Sequence, residues 1–435
     1  VKLSSRSVIL VLFFMALLSG ISISLAAEQG SSLVLKAEYD DGFCLSTTGE
    51  ETLSLCLGGL LQVDYRHFRY ESEDPNNDGF DIRRARLLLG GHVGDHFDFF
   101  FQYEFQGAAS RRLLDGYANV HLLPFLSFRI GQFKTPFSLE QFTADKDLFF
   151  SERSMGFYLT PSRDLGLMAY ASLWQDRINY GLGIFNGNGV DDSVKGDEDA
   201  PAVIGRVAFA PLRGLGNALW ENLQVGGSLS YGRIDPTNVE IHVFTAGLTE
   251  FFDVASRAKF NIIREADSRR RYGAEFAWTY GPVALTAEYI HVLYKEVETS
   301  TNLFDIELEN TYVSLVWFVT GEKPTLANGV YQPIKPLKSV WKGGWGAFGV
   351  GFRYDSFHGD ESAYENLINA GDSVREATGY SIVLNWYLNP WARIVLDGTR
   401  TEFDEPLLID RDPLKGTAIY SDHEDVIVAR FQLQF

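Results

Sequence analysis

Hydrophobic and polar residues alternate along this chain over stretches of about ten residues at a time. From Phe97 to Gln106 the odd positions are Phe97, Phe99, Phe101, Tyr103 and Phe105, and the even ones Asp98, Phe100, Gln102, Glu104 and Gln106. In the next stretch Leu114, Gly116, Ala118, Val120 and Leu122 share one face, with Asp115, Tyr117, Asn119 and His121 on the other. A period of two is that of a β-strand with unlike environments on its two faces. The pattern predicts sixteen strands, at 57–70, 80–93, 97–106, 113–122, 126–134, 164–173, 178–186, 201–211, 222–233, 269–280, 283–295, 310–320, 345–357, 378–388, 391–403 and 423–435.

The connections decide between a soluble sandwich and a barrel. Tight turns rich in Gly, Pro, Asn and Asp fall at 94–96, 123–125, 175–177, 281–282 and 389–390, and long acidic or Gly-rich segments fall at 135–163, 187–200, 234–268, 358–377 and 404–422. Short turns on one side and long loops on the other mark an all-β, transmembrane antiparallel β-barrel of about 16 strands. Only Gly321 to Gly344 breaks the rhythm, being long where a short turn belongs. The final strand puts Ile427, Ala429, Phe431, Leu433 and Phe435 on one face, and ends on the aromatic. It must close on the first strand, because an open edge in lipid leaves backbone groups unsatisfied.

Composition agrees with an apolar outside, a polar inside and aromatic bands: 33 Phe, 20 Tyr and 41 Gly stand against 3 Met and 2 Cys. Ahead of the strands, Lys2 and Arg6, the apolar run Val8 to Leu18 and the small residues Ser24 to Ala27 read as an export signal over 1–27. The run falls short of the roughly 20 residues of a membrane-spanning helix. Residues 28–56 are then expected to be a short periplasmic segment, and 57–435 the barrel. Cys44 and Cys56 lie within that segment, and their spacing fits either a local bridge or two free thiols. The formal charge of -19 argues against nucleic acid as a partner, and no metal or cofactor is implied.

In a barrel the candidate chemistry is selection by charges facing the lumen. Strand parity turns Arg84, Arg86, Arg129, Arg271, Arg353 and Arg393 inward, since an arginine in lipid near the midplane costs roughly 2–4 kcal/mol. The same arginines could equally brace the wall by pairing with Asp98, Glu104, Asp115, Glu275 and Asp397. The segment around 135–163 is aromatic and long enough to fold into a pore, carrying Lys134, Lys146, Arg153 and Arg163 among Glu140, Asp145, Asp147 and Glu152.

Three stretches resemble a known family: Arg129 to Ser138 (RIGQFKTPFS), Ser151 to Ser154 (SERS) and Pro161 to Gly166 (PSRDLG). They are similar to the phosphate-selective porins of the O and P type, with a likeness running from about Leu57 to Phe435. The resemblance implies a sixteen-stranded outer-membrane barrel that is usually a homotrimer. It also implies a third outer loop that narrows the lumen, and inward Arg and Lys that guide small phosphate-like anions such as phosphate or polyphosphate. It carries that role to Arg129, Lys134, Arg153 and Arg163, and makes Phe435 the mark read by the barrel-assembly machinery. The basic residues here have acids close by in sequence, unlike the dense basic ladder of the anion-selective members. A structural or adhesive barrel with a blocked lumen would show the same strand pattern. An enzyme is disfavoured, because no Gly-x-Ser-x-Gly elbow is present.

Overall fold

The computed structural model describes residues 23–26, 32–39, 42–48, 53–70, 78–107, 112–187, 189, 201–234, 239–255, 263–367, 373–411 and 418–435. The expected export signal lies outside them, apart from Ile23–Ala26.

Sixteen strands form the wall: β1 Leu53–Arg69, β2 Gly79–Val93, β3 Phe97–Glu104, β4 Leu113–Leu123, β5 Leu126–Lys134, β6 Arg163–Leu173, β7 Ile178–Phe185 and β8 Ala202–Phe209 come first. They are followed by β9 Gln224–Arg233, β10 Ser268–Tyr280, β11 Val283–Glu298, β12 Leu303–Phe318, β13 Ala347–Gly359, β14 Glu376–Tyr387, β15 Ala392–Arg411 and β16 Ala418–Gln434. Each pairs antiparallel with the next. β16 returns to β1, from Asp425 opposite Arg69 to Gln434 opposite Leu60, and closes the barrel. Phe435 completes the seam by exchanging backbone hydrogen bonds with Gly59 at 2.8 and 3.1 Å. Its ring occupies the space a Cβ at Gly59 would need.

Alternation now has a physical meaning. Along β8, Val203 and Val207 face outward and are exposed, while Ile204, Arg206 and Ala208 face the lumen and are buried. Several strands run past the expected ends: 310–320 is Leu303–Phe318, 391–403 is Ala392–Arg411 and 423–435 is Ala418–Gln434. Beyond the bilayer no face need be apolar, so the pattern lapses while backbone pairing continues.

Before the barrel, Ser32–Tyr39 and Phe43–Thr48 form a hairpin whose second strand pairs with β1, from Phe43 opposite Leu57 to Ser46 opposite Ser54. Cys44 lies opposite Cys56 and the two are joined by a disulfide. β1 therefore starts at Leu53, ahead of the expected Leu57.

The buried apolar core sits inside the barrel rather than between layers. The connection from β9 to β10 contains a hairpin, Glu240–Phe244 with Glu250–Ala255. It buries Ile241, Val243, Phe251, Phe252 and Val254 against Phe357 and Phe403 of the far wall. A second cluster joins Leu139, Phe149 and Phe150 to Phe318, Tyr331, Ile334 and Tyr387. Tyr331 and Ile334 belong to the long inner connection from β12 to β13, so that segment folds up into the lumen. Its tip pairs Leu326–Ala327 with Val330–Tyr331 across Asn328 and Gly329. Both tip residues have positive φ, 51° and 73°, which Asn and Gly tolerate best.

Candidate functional site

The residues between β5 and β6 lie inside the barrel and span it. Ser138 starts a single helical turn, Leu139–Phe142, its hydroxyl accepting from the Gln141 backbone N–H at 3.1 Å. The first free N–H groups of that turn, on Leu139 and Glu140, donate to the Glu288 carboxylate of β11 at 2.7 and 2.8 Å. Further on, Ser151 donates through N and Oγ to Asp397 of β15 at 2.9 and 2.8 Å, and Met155 N donates to Asp355 of β13 at 2.8 Å. Wall side chains return the favour to loop carbonyls. Arg353 donates to Glu152 O at 2.9 Å, Asn385 to Phe149 O at 2.8 Å, Arg393 to Leu148 O at 2.7 Å and Gln432 to Lys146 O at 3.0 Å. An irregular segment has no ladder of its own, so lumen-facing polar residues of β11 to β16 satisfy its backbone.

Charge fastens the same loop to β1, β2 and β16. Glu152 is reached by Arg83 at 2.8 Å, Arg66 at 3.1 Å, Arg84 at 3.5 Å and Arg430 at 2.7 Å. Asp64 shares Arg66 at 3.0 Å and Arg430 at 2.6 Å. Asp145 pairs with Arg86 and Arg153, and with Arg84 at 3.6 Å. Burial alone would push the Asp145 and Glu152 carboxyls up. The surrounding guanidiniums, Arg153, Arg86 and Arg84 for the first and Arg83, Arg84 and Arg430 for the second, outweigh it and hold both well below the ordinary carboxylate value.

The sequence-predicted residues thus divide. Arg84, Arg86 and Arg153 belong to this ion network, and Arg353 and Arg393 hold loop carbonyls. Lys134 Nζ donates to the carbonyls of Gln141 and Thr143, both at 2.8 Å, and so ties the loop to the strand it leaves. Arg163 pairs with Asp115 at 3.1 Å. Arg271 is buried in β10 and its Nε meets no acceptor among the described residues. Arg129 donates to Asn119 Oδ1 at 2.8 Å and lies over the Tyr117 ring, 4.0 Å from its centroid.

Sequence reasoning passed over Arg66, Arg83, Arg206 and Arg430. Parity would have found Arg206, which pairs with Glu275 at 2.7 Å, and Arg430, the largest fully buried side chain. Arg83 had no such signal. Gln62 pairs with Arg84 but Val63 with Ile82, so Arg83 sits in a β-bulge that turns it toward Glu152.

The three inward segments fill one side of the lumen and leave the other open. A cavity of about 610 Å³ runs between the loop and the wall of β1 to β6. Arg86, Arg129, Lys134, Lys146 and Arg163 line it against Asp98, Asp115 and Asp145. A second, of about 320 Å³, lies beside it, bounded by Arg129, Phe142, Tyr170, Arg206 and Asn328.

Comparison with known proteins fits this architecture. The family model for phosphate-selective porin O and P matches residues 55–435. No curated protein sequence matches the chain. Among solved structures, the anion-selective porin from Comamonas acidovorans is similar with a TM-score of 0.54 at 12% identity, covering 88% of this chain and 100% of that one. OmpF of Salmonella typhi, solved in complex with daunomycin, gives a TM-score of 0.51 at 13% identity, over 92% and 100%. The trimer form of OmpT from Vibrio cholerae gives 0.50 at 11%, over 88% and 99%. At such identities these likenesses speak for the barrel fold alone.

Proposed function

Because this chain belongs to the phosphate-selective porin O and P family, a family of non-enzymatic outer-membrane diffusion channels, we propose that its channel prefers small anions, phosphate and polyphosphate among them. The carrying observation is the charge of the open cavity: five cationic side chains line it against three carboxylates, although the whole chain carries a formal -19. An ion in a narrow, low-dielectric passage feels the charges within a Debye length of about 8–10 Å more than the acidic outer loops. The net positive wall therefore governs passage. On the same reading the protein is a homotrimer, and Phe435, fixed at the seam, is the residue by which the assembly machinery recognises the strand.

Single-channel currents in a planar bilayer under a potassium chloride gradient test this. The expected reversal potential has the sign of chloride preference, and added phosphate lowers the chloride current. Cation preference would refute the proposal while leaving the channel, and a silent bilayer would favour the blocked structural barrel instead.

A further inference from the structure

Arg129 differs from the other arginines of the open cavity, and from Lys134 beside them. Arg86 and Arg163 are each paired with a carboxylate, and Lys134 is held by two carbonyls. Arg129 is half-buried and forms no ion pair among the described residues. Its hydrogen bonds go to uncharged oxygens, the amide Asn119 Oδ1 and the Tyr170 hydroxyl. Rings surround it instead, with Tyr117 at 4.0 Å, Tyr170 at 5.1 Å and Phe133 at 5.4 Å from the guanidinium carbon. A guanidinium stacked on a ring uses its face and keeps its donors in the plane. Arg129 lines both cavities, so the donors left over by Asn119 and Tyr170 open onto the passage.

The neighbouring wall is unusual for a route taken by hydrated inorganic ions. Phe100 packs on Tyr117 at 5.5 Å, and Phe142 of the loop lines both cavities next to Arg129. Phosphate gains nothing from a ring. A carboxylate carried on an aromatic ring offers a planar two-oxygen edge to Arg129 and an apolar body to the wall. Pockets of several hundred Å³ with apolar walls and a few fixed polar groups are the usual form of a small-molecule site.

We infer that the open half of the lumen is a binding station for small aromatic carboxylates of about the size of benzoate. Arg129 holds the carboxylate, and Phe142 with the Tyr117 and Tyr170 side of the wall packs the ring. This rests on the anion-channel reading and names the class of anion that the channel retains longest.

The test uses the purified full-length protein in planar bilayers. Benzoate, cyclohexanecarboxylate, acetate and phosphate are added in turn at constant ionic strength, and the interruption of chloride current is recorded. Benzoate is expected to block at roughly tenfold lower concentration than acetate, the difference being burial of the ring. Arg129→Ala, shown to be folded by its mobility on an unheated gel, is expected to lose that block, and Phe142→Ala to weaken it several-fold. Equal potency of benzoate and acetate, or block that survives in Arg129→Ala, would overturn the station. Equal potency of benzoate and cyclohexanecarboxylate would overturn its aromatic character. Failure of the underlying reading is separately visible, as the sign of the reversal potential in potassium chloride before any carboxylate is added.

Discussion

The wall from β3 to β7 and the wall from β9 to β16 are built from the same alternating strands, yet their lumen faces meet different surroundings. On the second, buried polar residues such as Glu288, Asp355, Asn385, Arg393 and Asp397 are consumed in holding the loop's backbone. On the first, Asp98, Asp115, Asn119 and Arg129 border open space. The outer hairpin and the inner connection touch the filled side as well, through Phe251 on Phe357 at 5.3 Å and the Tyr331 hydroxyl on Thr286 Oγ1 of β11 at 2.6 Å. On the proposed anion-channel reading, a lumen charge is free to act on a passing ion only where nothing has been folded against it. On the filled side an arginine is a structural bolt.

The largest disturbance of this division is expected from Glu152→Gln. It leaves Arg66, Arg83, Arg84 and Arg430 facing one another without their shared carboxylate, and breaking a buried ion pair from one side costs about 3–5 kcal/mol. A clear drop in the thermal midpoint, with larger and noisier single-channel currents, is the expected record. An unchanged trace would mean that the backbone contacts to β11, β13 and β15 suffice.

A matched pair of variants sharpens the contrast. Arg353→Ala on the filled side removes a donor to Glu152 O and should cost about 2 kcal/mol of stability while leaving the reversal potential where it was. Arg129→Ala on the open side should do the reverse. A unit charge about 6 Å from a passing ion is worth roughly 0.7 kcal/mol in water, attraction for the anion and repulsion for the cation, so the anion-to-cation permeability ratio should fall about tenfold. Should both variants move the reversal potential alike, the two walls are not functionally distinct.

Acid attacks the ion network that fastens the loop. Asp145 and Glu152 have folded pKa values below their unfolded ones, so their contribution is complete above about pH 4 and is lost as pH falls through the depressed values. Conductance is expected to hold steady from pH 7 to about pH 4 and to rise only below that. A rise already at pH 5 to 6 would show that other groups hold the loop.

The smallest effect lies at the outer hairpin. His242 sits between Asp253 at 3.2 Å and Glu250 at 2.6 Å, and its hydrogen bonds to Asp253 and then Glu250 push its pKa up to about 9. A raised pKa stabilises fully below the unfolded value near 6.5, and the gain disappears as pH rises through about 9. The side chain is partly exposed, so solvent screening limits this to at most about 0.5 kcal/mol. The difference in thermal midpoint between wild type and His242→Gln should be present at pH 6 and absent at pH 10.

Most of the wall was legible because membrane strands obey a simple rule over a fixed length. The expected 126–134 is β5, Leu126–Lys134, and the expected 97–106 is β3, Phe97–Glu104. The rule failed wherever the lipid constraint ended. The segment 234–268 read as an ordinary outer loop, but holds a hairpin buried among residues of β13 and β15. The break at Gly321 to Gly344 was visible as excess length, and its direction was not.

By itself the sequence determined the class of fold, the number of strands and the inward sense of nearly every lumen arginine, because each depends on local alternation against water and lipid. Tertiary structure alone decided which of those arginines are spent. Arg84, Arg353 and Arg393 are neutralised or bonded by a loop far away in the chain, Arg83 is turned inward by a one-residue bulge, and Arg129 is left over. The charge that acts on a passing ion is what remains after such distant pairings, and no local pattern of residues encodes it.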